Sequence, residues 1–197
     1  MPITLNGSGT VTGISVGGLP DGIVDTDMLA ADAVTTAKAD PGLGKVLQTK
    51  QHVKTSLSST TSLTFVDLLT VTITPASNTS KFLLMYKVPM SVDTNGYSGM
   101  LRLVRDSTPI YIGDANSSNT RASSQAVGTT SNGSYRAYDL NGVFIDEPTT
   151  PSAITYKVQF KNDYSGYTVF VGRHLAGDTN NYYATFPHSF VVMEVAA

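Results

Sequence analysis

The stretch Ile154-Thr155-Tyr156-Lys157-Val158-Gln159-Phe160-Lys161 decides the fold. Apolar and polar side chains alternate through it without an error. In extended backbone, successive side chains point to opposite faces, so this spacing puts Ile154, Tyr156, Val158 and Phe160 on one side and Thr155, Lys157, Gln159 and Lys161 on the other. The segment reads as a strand with one face in a core and the other in water. The same period of two carries outward. Leu63, Phe65, Leu69, Val71 and Ile73 also alternate, interrupted by Asp67, where a β-bulge or a polar partner is required. Further strands are expected over 46–54, 82–90, 99–104, 109–112, 136–145, 167–173 and 190–195. Turn formers fill the intervals at 75–80, 93–96, 114–119, 131–134, 163–166 and 178–181, and Asn141-Gly142 adds another turn signal. This pattern predicts an all-β chain: an antiparallel β-sandwich, with jelly-roll connections, over residues 45–197.

Composition agrees and removes several alternatives. Of 197 residues only 14% are charged, against about 25% in an average globular chain, and the surface is left to Ser, Thr, Asn and Gly. Thirteen Lys and Arg face 15 Asp and Glu for a net charge of -2, and no basic run is present, so no nucleic-acid partner is expected. The absence of cysteine excludes disulfide scaffolds, thiolate metal sites and thiol catalysis. No apolar run reaches the roughly 18 residues of a membrane helix, and MPITLNGSGTVTG lacks the regions of a signal peptide, so no membrane insertion is expected.

Residues 1–44 are of another kind. They hold no aromatic residue and eight of the 17 glycines, too little apolar bulk to offset the entropy of ordering on their own. Ile3 to Leu5 and Val11 to Val16 read as short extended pieces. From Asp25 or Thr26 as N-cap, Met28, Leu29, Ala33, Val34 and Ala37 recur at helical spacing as far as Lys38, and Pro41-Gly42 ends the pattern. With Ile23 and Val24, the apolar residues Met28, Leu29 and Val34 are the expected oligomer and anchor contacts of this segment. In the sandwich, two strands are apolar on both faces. Leu83 and Met85 oppose Phe82, Leu84 and Tyr86, while Val191 and Met193 oppose Phe190 and Val192. One face of each belongs to the core, and the other calls for a partner subunit.

The opening ITLNGSGTVTGISVGGLPDGIVDTDMLAADAVTTAKAD resembles the N-terminal stretch of tailed-phage structural proteins, particularly tail fibre-like proteins of marine and cyanobacterial phages. Val46 to Gln48, the block SLTFVDLLTVTITPASNTSKFLLMYKVP from Ser62 and SFVVMEV from Ser189 resemble the domain that follows it there. The resemblance covers both ends and about half the chain. It implies a virion location and a non-enzymatic homotrimer, a short tail fibre or appendage subunit. Residues 1–44 would attach it to other phage virion proteins, and the jelly-roll head would bind the host surface. A capsid decoration or head-fibre protein with an architectural role, and a sugar-binding lectin, are the alternatives.

No catalytic residue, metal site or cofactor is expected. Pro41-Gly42-Leu43-Gly44-Lys45-Val46 lacks the first glycine and the final hydroxyl of a phosphate loop. His52, His174 and His188 stand at no metal-ligand spacing, no G-x-S-x-G elbow is present, and the loop aspartates match no calcium loop and read as turn chemistry. The binding candidates are loop tyrosines beside amides: Tyr97, Tyr164, Tyr182 and Tyr183, with Asn180 and Asn181, which together suit a host cell-surface glycan or a protein surface.

Overall fold

The computed structural model describes residues 4–5, 11–12, 45–93, 96–128, 136–174 and 184–196. The chain divides into two units, Met1–Pro41 and Gly42–Ala197. In the first, β1 (Thr4–Leu5) pairs antiparallel with β2 (Val11–Thr12), Thr4 opposite Thr12 and Leu5 opposite Val11. The helix expected over 25–38, and with it Ile23, Val24, Met28, Leu29 and Val34, lies outside the described residues.

The second unit holds β3 (Val46–Lys54), β4 (Ser58–Thr60), β5 (Val66–Ile73), β6 (Lys81–Val92), β7 (Ser98–Arg105), β8 (Thr108–Ile110), β9 (Ser124–Val127), β10 (Tyr138–Asp146), β11 (Ile154–Asn162), β12 (Val169–Val171) and β13 (His188–Val195). One sheet runs β3-β13-β6-β10, with the short β12 and β4 beside the far end of β6. The other runs β5-β11-β7-β8, with β9 also on β7. All pairings are antiparallel and the long strands alternate between sheets, which is the jelly-roll order. Among the described residues there is no helix.

The deciding stretch is β11, central in its sheet. Ile154, Tyr156, Val158 and Phe160 are buried in the core with Phe82, Leu84, Leu101, Leu103, Phe190 and Val192. Its polar side faces outward in a network that explains the interruption at Asp67. Register shifts there, Leu69 opposite Val158 but Asp67 opposite Gln159, so Leu68 is the extra residue of a bulge. The displaced Asp67 accepts from Lys157 Nζ at 2.8 Å and Gln159 Nε2 at 2.6 Å, and Arg102 Nε donates to Gln159 Oε1 at 2.8 Å while its guanidinium lies over Phe65. Burial pushes the Asp67 carboxyl up. The bonds from Lys157 and Gln159 and the charges of Lys157 and Arg102 outweigh it and hold the carboxyl below its ordinary value.

The two sheets are joined along one seam by side chains instead of a ladder. On β3, Gln48, Lys50 and His52 reach the backbone of β5 and of the residue after it: Gln48 Nε2 donates to Thr74 O at 2.7 Å, Lys50 Nζ to Thr72 O at 2.9 Å, and His52 Nδ1 accepts from Thr70 N at 3.1 Å. Edge groups of β5 that would otherwise stay unpaired are thereby satisfied. Glu194, buried on β13, closes the end of the seam by accepting from Gln48 Nε2 and from Ala76 N at 2.7 Å. Burial raises its pKa, but the nearby Ser80 hydroxyl, the bonds from Gln48 and Ala76 N and the Ser77 backbone hold the carboxyl below the ordinary glutamate value.

Several expected boundaries are corrected. Leu63 and Phe65 precede β5, because the Ser62 hydroxyl bonds Thr64 O and N and turns the chain there. Arg136 lies before β10, and Ile112 lies beyond β8, which ends before Tyr111 enters the left-handed region. Tyr167 and Arg173 flank a β12 of only three residues. Strands β4 and β9 were not expected. Asn141-Gly142 is no turn but the middle of β10, with Gly142 opposite Tyr86. A Cβ at Gly142 would collide with the Tyr86 ring, whose hydroxyl bonds Ser124 Oγ of the other sheet at 2.9 Å. Gly142→Ala must therefore push that ring aside. We expect a loss of about 1–3 kcal/mol in urea unfolding.

Candidate binding surfaces at the sheet face and the loop end

The outer faces of the two sheets differ in character. That of β5-β11-β7 carries the charged network around Asp67. That of β10-β6-β13 is apolar, because the register aligns apolar side chains in rows across three strands. Ile145, Leu83 and Met193 form one row, and Val143, Met85 and Val191 the next. On β3 the rows end in the polar Thr49 and Gln51. Lys81 pairs with Glu147 at 2.9 Å and Lys87 with Asp139 at 3.5 Å along the two flanks. Val143 and Ile145 are 61% and 57% exposed. An apolar centre with a charged rim is the make-up of a protein interface. Leu83, Met85, Val191 and Met193, singled out as facing away from the core, thus lie together. Val143 and Ile145 complete the patch and were missed, although their alternation with Leu140 and Phe144 carries the same signal.

At one end of the sandwich, Tyr97 directly before β7 lies beside the 163–168 loop, which crosses from β11 in one sheet to β12 in the other. Asn162, fully buried, fixes this loop by donating from Nδ2 to Tyr164 O at 2.7 Å and Tyr167 O at 2.6 Å, and Gly166 supplies the left-handed residue that the turn requires. Backbone bonds, both 3.1 Å, tie Asp163 N to Ser98 O at the start of β7 and Asp93 N, just past β6, to Thr168 O at the end of the loop. Tyr97 consequently stacks on Tyr164, centroids 4.4 Å apart, and on Tyr167 at 5.0 Å. Loss of water around its hydroxyl, then the neighbouring Tyr164, Tyr167 and Asp163, raises the Tyr97 pKa, so the phenol remains a neutral hydrogen-bonding group. The cluster offers ring surface and hydroxyls as a means of contact.

The structure thus brings together Tyr97 and Tyr164 of the sequence candidates. Tyr182, Tyr183, Asn180 and Asn181 lie outside the described residues. Tyr167, whose spacing also fits a core position, joins the cluster. Among the described residues no three of His, Asp and Glu converge as metal ligands, and no helix is long and apolar enough to cross a membrane. A cleft between β8 and β10, lined by Tyr111, Arg121 and Phe144, was not foreseen. What defines it is backbone conformation and a long-range stack, neither of which leaves a periodic signal.

No family model matches the chain, and no curated protein matches it. Among solved structures it is similar to the infectious bursal disease virus VP2 subviral particle, at a TM-score of 0.33 and 13% identity over 77% of this chain and 39% of that one. It is also similar to the infectious bursal disease virus Gx strain structure, at 0.32 and 13% over 76% and 40%. The chain thus spans about two fifths of the length of these neighbours. A likeness of that extent carries no functional inference.

Proposed function

We propose that this chain is a structural subunit of a virion, a trimeric appendage anchored through residues 1–44 to other phage virion proteins and displaying the jelly-roll sandwich towards a host surface. The observation that carries the assembly part is the six-residue apolar face of β10, β6 and β13 with its rim of ion pairs. A sandwich that keeps charges on one outer face and gathers Leu83, Met85, Val143, Ile145, Val191 and Met193 on the other favours packing of the second against another copy. Phage origin and the role of residues 1–44 rest on the resemblance of the opening segment. A purely architectural place on the capsid is the second reading, favoured by the same face.

Sedimentation of the intact chain tests this. Wild type should sediment as a trimer. Met85→Lys, which sets an ammonium in the middle of the patch at a site outside the core, should sediment as a monomer with an unchanged β-sheet circular dichroism spectrum. A wild-type monomer, or a trimer indifferent to Met85→Lys and Val191→Lys alike, would refute the assembly.

A further inference from the structure

Along the seam opposite β3 and β5 lies an open cavity of about 840 Å³, lined by Ile110, Tyr111, Gly113, Arg121, Ser123 and Phe144. We propose that this cleft binds a carboxylate-bearing sugar, the apolar face of a pyranose lying on the Tyr111 ring and the carboxylate on the Arg121 guanidinium.

Three observations converge on it. First, Tyr111 has φ of 50°, in the left-handed region that a bulky aromatic residue adopts only under strain. Such strain persists where the surroundings fix it, and here Phe144 does so, stacked on the Tyr111 ring at 5.1 Å with planes 27° apart. Phe144 reaches across from the other sheet, so the ring bridges the mouth of the sandwich. It remains 43% exposed, leaving ring surface open to the cavity.

Second, Arg121 is positioned, not loose. Its Nε donates to Gly113 O at 2.6 Å, and Gly113 N bonds Ala122 O, joining the two segments that form the wall. That bond uses one side of the guanidinium. The Nη groups have no partner among the described residues, and they present the forked donors that match a carboxylate. Third, Ile110 and Phe144 add apolar wall beside the Ser123 hydroxyl, which is taken up in accepting from Leu103 N at 3.0 Å. A purely apolar ligand would leave the guanidinium unused, and a small inorganic anion would leave the ring unused. A sugar acid engages both.

The site belongs to the sandwich of one chain, so its test is independent of the assembly proposed above. Binding of tri-galacturonic acid and of its methyl ester to the intact chain is compared by calorimetry at low salt. The acid should bind at least about ten-fold more tightly than the ester, which keeps the rings but lacks the charge. Arg121→Gln should erase that preference. Tyr111→Gly, which suits the left-handed backbone and keeps the fold, should weaken both ligands by about ten-fold. The proposal is overturned if ester and acid bind equally, if neither binds at millimolar concentration, or if Tyr111→Gly binds like wild type. It also fails if acetate displaces the trisaccharide at equal concentration, which marks a site for simple anions.

Discussion

Replacing Asp146 by alanine is expected to cost about 3 kcal/mol of folding free energy, the low end of the range for removing one partner of a buried ion pair, because the Arg105 side chain keeps 29% of its surface in water. Asp146 ends β10 and is buried, with its carboxylate in the sandwich. Arg105 Nη1 donates to both of its oxygens at 2.9 Å, and Tyr156 Oη donates to Oδ2 at 2.7 Å. Arg105 comes from β7 and Tyr156 from β11, so the carboxylate ties the edge of one sheet to two strands of the other. Burial, then the bond and charge of Asp146, raises the Tyr156 pKa far above its ordinary value, so the phenol remains a donor at any ordinary pH. Asp146→Ala would leave a buried hydroxyl and a guanidinium facing a void. Tyr156→Phe removes only one neutral donor and should cost about 1–2 kcal/mol. Urea unfolding of both variants gives the comparison, and equal losses would show that Arg105 contributes nothing.

What could be read beforehand follows from which interactions have a period. β3 begins at Val46 and ends at Lys54 as expected, and β11 is buried on the face that its alternation names. Repeating one choice at every second residue sums to a signal stronger than local propensity. The bulge at Leu68 was readable for the converse reason, since Asp67 breaks that repeat. The doubly apolar character of β6 and β13 was readable too, and it located most of the outer patch. Single long-range contacts were not. Asp146 sits in the polar run Asp146-Glu147-Pro148-Thr149 and looks like turn chemistry, yet its partners are 41 and 10 residues away. Gln48, Lys50 and His52 look like the wet face of β3 but seal a seam. Asn141-Gly142 has the composition of a hairpin turn, and only the ring of Tyr86 explains the glycine. The tyrosine cluster was half visible: loop composition named Tyr97 and Tyr164, whereas their stacking depends on Tyr97 and the 163–168 loop meeting at one end of the sandwich.

Acidification should destabilise the sandwich from about pH 6.5 downward, before its carboxylates protonate, and His188 is the cause. The side chain is fully buried at the start of β13, on the inner face of its sheet. Burial, then the charge of Lys54 and the neighbouring His52, lowers its pKa from 6.5 to about 4, with the Phe186 backbone acting weakly in the other direction. Above pH 6.5 the imidazole is neutral in both folded and unfolded chains and contributes no pH dependence. Between 6.5 and about 4 the unfolded chain takes up a proton that the folded chain excludes, so unfolding is favoured increasingly as pH falls. Below that window both states are protonated and the effect is constant, at a total on the order of 3 kcal/mol. Asp67 and Glu194 act at lower pH. Their folded pKa values are depressed, so their stabilisation is complete above the ordinary carboxylate range and is lost as pH falls from that range through the lower folded values. Unfolding free energies measured at intervals from pH 7.5 to 4 should therefore decline already near pH 6. His188→Met, which fills similar volume without a titrating group, should flatten the decline above pH 5 and leave the acid limb intact. An unchanged slope in that variant would assign the decline to another group.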